Sequence, residues 1–76
     1  MVKRRLVVDN TFMGKIREVD VEGDLTLGEA FISLVPLDYR DCFWVLDEKG
    51  NVVSDVRVKN YKGTKVIIVP SELGDG

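Results

Sequence analysis

Thr26-Leu27-Gly28-Glu29-Ala30-Phe31-Ile32-Ser33-Leu34-Val35-Pro36 is the stretch of this chain that reads as a helix. Thr26 and Glu29 have the spacing of a capping box. The Thr26 hydroxyl can accept from the Glu29 amide, and the Glu29 carboxylate can accept from the Thr26 amide. Leu27, Ala30, Phe31, Leu34 and Val35 fall on one helical face. Pro36 sets the far limit, because proline disfavours helical geometry in the residue before it. The pattern predicts a helix over Leu27 to Val35. Helix propensity alone would not decide this, since Gly28 costs about 1 kcal/mol relative to alanine. The apolar face must pack on a sheet.

Strands are predicted on both sides of it. Upstream, Arg4 to Asp9 is rich in β-branched residues, Asn10 to Gly14 supplies turn chemistry, and Lys15 to Val21 alternates in part. Together these read as a β-hairpin. Downstream, Leu37 to Asp41 is a connector and Cys42 to Leu46 a third strand. After the turn Asp47 to Asn51, Val52-Val53 begins a short strand. Ser54 to Lys62 reads as an irregular excursion anchored by Val56, Val58 and Tyr61. Lys62-Gly63-Thr64 then turns the chain into the last strand, Lys65 to Val69, which Pro70 closes. The expected class is α+β, a mixed sheet of four to five strands crossed by one helix. A single helix covers one face. Cys42 to Leu46 and Val66 to Val69 are apolar at every position, so apolar side chains must also lie on the other face. Such patches mark contact surfaces. Val66 and Ile68 should point one way and Ile67 and Val69 the other, one pair packing on the helix and the other exposed for a partner.

With 76 residues, 45% of them hydrophobic, the chain is expected to form one domain with a true core. No apolar run approaches the roughly 18 residues of a membrane span. The basic start Met1-Val2-Lys3-Arg4-Arg5 precedes only Leu6-Val7-Val8, which is not the pattern of a signal peptide. One cysteine, Cys42, permits no internal disulfide, and a small fold without disulfides points to the cytoplasm. Lys3, Arg4 and Arg5 form the one dense basic cluster. A solvated strand end explains it better than a nucleic-acid patch, because the net charge is −2.

The chain contains no histidine, which removes Ser-His-Asp and Cys-His pairs and histidine metal sites. One cysteine cannot hold an iron–sulfur cluster. Neither a P-loop nor a G-x-G-x-x-G pattern occurs. The acidic residues are scattered through turns and strand ends, where solvation is their role. No catalytic residue, metal or cofactor is therefore expected. Cys42 opens an apolar strand and reads as buried and inert. Trp44 has two readings, interface anchor or core.

The strand–helix order resembles the β-grasp fold of ubiquitin. Trp44-Val45-Leu46, Gly50-Asn51-Val52-Val53, Tyr61 to Pro70 and Gly74-Asp75-Gly76 follow the outline of the ubiquitin-like sulfur carriers, such as the small subunit of molybdopterin synthase and the thiamine sulfur carrier. The resemblance implies a β-grasp domain over residues 1–70 and a flexible tail over 71–76. In that family a partner enzyme adenylates the last glycine, and sulfur or an amine displaces the nucleotide. By resemblance, Gly76 carries the thiocarboxylate or isopeptide bond, with Gly74 preceding it. The family ends in Gly-Gly. Here Asp75 stands between the glycines and sets a bulky anion beside the reacting carboxylate.

Two functions follow. The first is a sulfur carrier or protein modifier that works through Gly76 and needs an adenylating enzyme. The second is a non-covalent β-grasp module, an accessory subunit of a larger enzyme. For either, Ile67, Val69, Trp44 and Leu73 are the candidate partner contacts. A nucleic-acid module using Lys3, Arg4 and Arg5 is a weaker third.

Overall fold

Asn10 and Gly14 build the first reversal of the chain. In the computed structural model, which describes residues 3–71, the Asn10 side-chain oxygen accepts from the backbone N–H groups of Phe12 at 3.1 Å and Met13 at 3.4 Å. Asparagine starts turns by this local bonding. Gly14 takes φ +66°, a region open to glycine at no steric cost. The turn joins β1 (Lys3–Asn10) to β2 (Lys15–Glu22), which pair antiparallel along their whole length. Asn10 itself is buried. Its Nδ2 donates to the Leu34 carbonyl at 3.0 Å, which ties the hairpin to the end of the helical segment.

Helix α1 (Leu27–Phe31) opens with the expected capping box. Glu29 N donates to Thr26 Oγ1 at 3.2 Å, and Thr26 N donates to the Glu29 carboxylate at 3.0 Å. The N–H groups of Leu27 and Gly28 donate to the carbonyls of Val56 and Ser54, each at 2.9 Å. The first four N–H groups, which no helix satisfies internally, thus all have partners. The α-helix is shorter than expected. It ends at Phe31, a 3₁₀ turn covers Ile32–Leu34, and Val35 is extended at φ −96°, ψ 136°. Pro36 forces Val35 out of helical geometry. The turn before it tightens so that Val35 N reaches the Ile32 carbonyl at 3.2 Å. The predicted face survives the change: Leu27, Phe31 and Val35 are buried, and Ala30 and Leu34 pack against the core.

Strands β3 (Phe43–Leu46) and β4 (Lys65–Pro70) complete a four-stranded sheet in the order β2-β1-β4-β3. β1 and β4 run parallel at its centre; β3 pairs antiparallel with β4. The fold is α+β, with one short α-helix and three 3₁₀ turns among the described residues. The expected fifth strand reduces to one bridge between Val52 and Leu46. The chain leaves the sheet at once, because Val53 N turns back to the Val45 carbonyl at 2.7 Å and Ser54 Oγ accepts from Val45 N at 2.8 Å.

The core lies between the sheet and the helix. Leu6, Val8, Val45, Val66 and Ile68 from the strands meet Leu27, Phe31 and Val35 from the helical segment. Val58 and Tyr61, two of the three expected anchors, come from the excursion and are also buried; Val56, the third, packs against them in part. The excursion is strapped down by Val58 N to the Leu25 carbonyl (2.8 Å) and Lys59 N to the Gly23 carbonyl (3.0 Å). Arg4 fastens its other end. The guanidinium donates to the carbonyls of Val58, Tyr61 and Gly63 and lies 5.8 Å from the centre of the Tyr61 ring.

Candidate functional site

Alternation along the strands sorts the last strand into two faces. Val66 and Ile68 point into the core and are fully buried. Ile67 and Val69 point to the face the helix does not cover, where strand neighbours leave them half-buried. Register builds a surface around them. Val69 stands opposite Trp44, and Ile67 opposite Leu46. On its other side Ile67 is level with Asp9, and Asp9 with Ile16. Val52 bridges to Leu46 and continues the row. Trp44 is 41% exposed, Ile16 61% and Val52 54%. Trp44 thus takes the surface position of its two readings, because Val45 claims the inward direction in the same strand.

This face is divided along the strands. Toward the start of β1 it is charged. Arg5 Nε pairs with Asp20 at 3.0 Å, and Arg5 Nη1 lies 3.8 Å from Glu18. The Arg5 hydrogen bond and charge hold the Asp20 carboxyl below its ordinary range, and the pair raises the Arg5 guanidinium in turn. Toward the end of β4, Ile16, Ile67, Val69, Trp44 and Leu46 form an apolar area broken by the half-buried Asp9. The described chain leaves the sheet at this apolar end, with Ser71 N donating to the Cys42 carbonyl at 2.9 Å.

Three of the proposed contact residues, Trp44, Ile67 and Val69, therefore share one face. Leu73, Gly74 and Gly76 lie outside the described residues, as does most of the 71–76 segment. The basic cluster does not act as a unit: Arg4 clamps backbone carbonyls, Arg5 is in ion pairs and Lys3 is exposed. Cys42 is exposed, which corrects its reading as a buried thiol. It falls one residue before β3, in the turn closed by Cys42 N to the Tyr39 carbonyl at 2.9 Å. Its apolar neighbours in sequence therefore give it no cover. Among the described residues no group of three or more Cys, Asp and Glu is placed to hold a metal ion. No helix of the described residues is long and apolar enough to cross a membrane. The sequence reading missed Asp9 at the centre of the apolar area; its only signal was its position directly after the apolar run Leu6-Val7-Val8. When the chain is compared with models of known protein families and with curated proteins, none matches it.

Proposed function

We propose that this chain is a ubiquitin-like β-grasp domain that works by docking on a larger protein through the apolar end of its open sheet face. The observation that carries the reading is the alignment of Trp44 with Val69 and of Ile67 with Leu46 on the face opposite the helix. Tryptophan flanked by half-buried aliphatic side chains suits the centre of an interface. The β-grasp reading is supported by the sheet order, in which the first and last strands run parallel at the centre. The docking serves carrier chemistry: Gly76 is adenylated by the partner and carries a thiocarboxylate or an isopeptide bond. The outline of the last third, from Tyr61-Lys62-Gly63-Thr64 through the Val66–Val69 strand and Pro70 to Gly74-Asp75-Gly76, supports this part by its resemblance to the sulfur carriers. The charge of Asp75 favours a second reading, a non-covalent accessory subunit that uses the same face and no tail chemistry.

The test is affinity capture from the native source, with mass spectrometry of the C-terminal peptide. Trp44→Ala with Val69→Ser is expected to lose the captured partner while the fold is retained. Retained capture by this variant would refute the docking face. A thiocarboxylate or a lysine-linked remnant at Gly76 supports the carrier. An unmodified terminus, with capture undiminished after truncation at Leu73, supports the accessory subunit.

A further inference from the structure

The helix and its 3₁₀ continuation are too short to cover the whole inner face of the hairpin. A groove of about 470 Å³ remains between β1–β2 and the segment that leads to Arg40. It lies on the helix side of the sheet, opposite the docking face. Its walls are mostly apolar, Val8 on the sheet side with Leu34, Val35 and Leu37 across from it, and Asn10 and Ser33 add the neutral polar groups. Met13 and Leu37 line the groove and are 58% and 77% exposed. The charged side chains that line it are all cationic: Lys15, Arg17 and Arg40.

That concentration runs against the chain's net charge of −2. Lys15 and Arg17 are two residues apart on one strand and so project to the same face, where they repel each other. Arg40 comes from the opposite wall, steadied by Nε donating to the Val35 carbonyl at 3.1 Å. Its loop neighbours Asp38 and Asp41 are exposed and do not line the groove. Among the described residues none of the three cations is in an ion pair.

We propose that this groove binds an amphipathic organic anion, an apolar body bearing a phosphate or carboxylate. Its volume falls within the roughly 300–1,000 Å³ typical of small-molecule sites. The apolar walls take the body, and the three cations converge on the charged group. A bare inorganic anion would leave the walls unmatched, and a neutral ligand would leave the repulsion between the cations unrelieved. Charge-assisted bonds from arginine and lysine are stronger than neutral ones.

The test is titration of the full ¹⁵N-labelled chain with 1-naphthyl phosphate, 1-naphthoate and neutral 1-naphthol, followed by NMR. Saturable shifts confined to Met13, Lys15, Leu34, Leu37 and their neighbours are expected with one or both anions; the tighter of the two identifies the headgroup. 1-Naphthol should bind at least about tenfold more weakly. The double variant Lys15→Gln/Arg17→Gln should weaken anion binding by about tenfold or more. Both side chains are exposed, so the fold is retained, and unchanged shifts elsewhere verify it. Lys49→Gln/Lys62→Gln, which removes the same charge elsewhere, should leave affinity unchanged. Equal binding of 1-naphthol, shifts centred on Trp44, or no saturable shift at millimolar anion would overturn the proposal. So would saturable binding of an acidic peptide alone, since the groove would then be a peptide site.

Discussion

Arg4 shows how far one side chain can reach beyond its local role. Read along the chain it belongs to a basic strand start; in the fold it bonds three carbonyls of the segment between β3 and β4. Arg4→Met keeps much of the side-chain length and removes every donor. It should destabilise the fold by about 1.5–3 kcal/mol, the range for hydrogen bonds to a charged group, as measured by urea denaturation. Arg4→Lys should recover only part of this, since an ammonium cannot fork across three carbonyls. Gly63 is equally constrained, though its backbone angle is ordinary. A Cβ there would lie 2.8 Å from the Tyr61 hydroxyl. That hydroxyl donates to the Lys65 carbonyl at 2.5 Å, and the ring is buried. Gly63→Ala should therefore displace the ring and cost about 1–3 kcal/mol in thermal or urea unfolding. Tyr61 also has a signature in pH. Burial raises its phenol above the ordinary 10.0. A group with a raised folded value contributes stability below its unfolded value and loses it as pH rises through the folded one. Stability should hold up to about pH 10 and fall above it, and Tyr61→Phe should lose that alkaline limb.

At the scale of elements, α1 depends on its cap and on the strap across its start. Glu29 is held below the ordinary carboxylate range by the Thr26 amide first and the Thr26 hydroxyl second. A depressed carboxylate contributes stability above its unfolded value and loses it as pH falls through the folded one. The advantage of wild type over Glu29→Ala should therefore be full above about pH 5 and shrink as pH falls below about 4, as seen in urea midpoints across that window. The group is fully exposed, so salt should shrink its charge-dependent part as well. Gly28 belongs to the same junction. Its alanine variant would gain intrinsic helix propensity, but the new Cβ would stand 3.3 Å from the Ser54 carbonyl, which Gly28 N itself bonds at 2.9 Å. Gly28→Ala is expected to show no rise in melting temperature, because the strap has no slack to yield.

For the whole molecule, the separation of two surfaces matters most. The helix and the inward side chains of the strands occupy one face of the sheet, and Trp44, Ile67 and Val69 lie on the other. If the open face docks as proposed, substitutions on it should change partner binding without a matching loss of fold. Trp44→Ala should lower the urea midpoint far less than Val45→Ala, because Val45 is fully buried and its truncation leaves a cavity. Parallel urea unfolding of the two variants checks this.

Local chemistry made much of this legible in the sequence alone. The Thr26–Glu29 spacing, the stop at Pro36, the turn residues Asn10 and Gly14 and the alternation that sends Val66 and Ile67 to opposite faces each act through bonds within a few residues. Val56, Val58 and Tyr61 were legible as anchors because they are apolar residues in an otherwise polar excursion. Only the tertiary structure decided the exposure of Cys42, the outward placement of Trp44, the carbonyl clamp at Arg4 and the cationic groove at Lys15, Arg17 and Arg40. Each depends on which distant segments meet. The parallel pairing of β1 with β4 joins residues nearly 60 positions apart, and no local period encodes such a meeting. Burial of a side chain is set by what lands beside it, so the same apolar run yields a covered Val45 and an exposed Cys42.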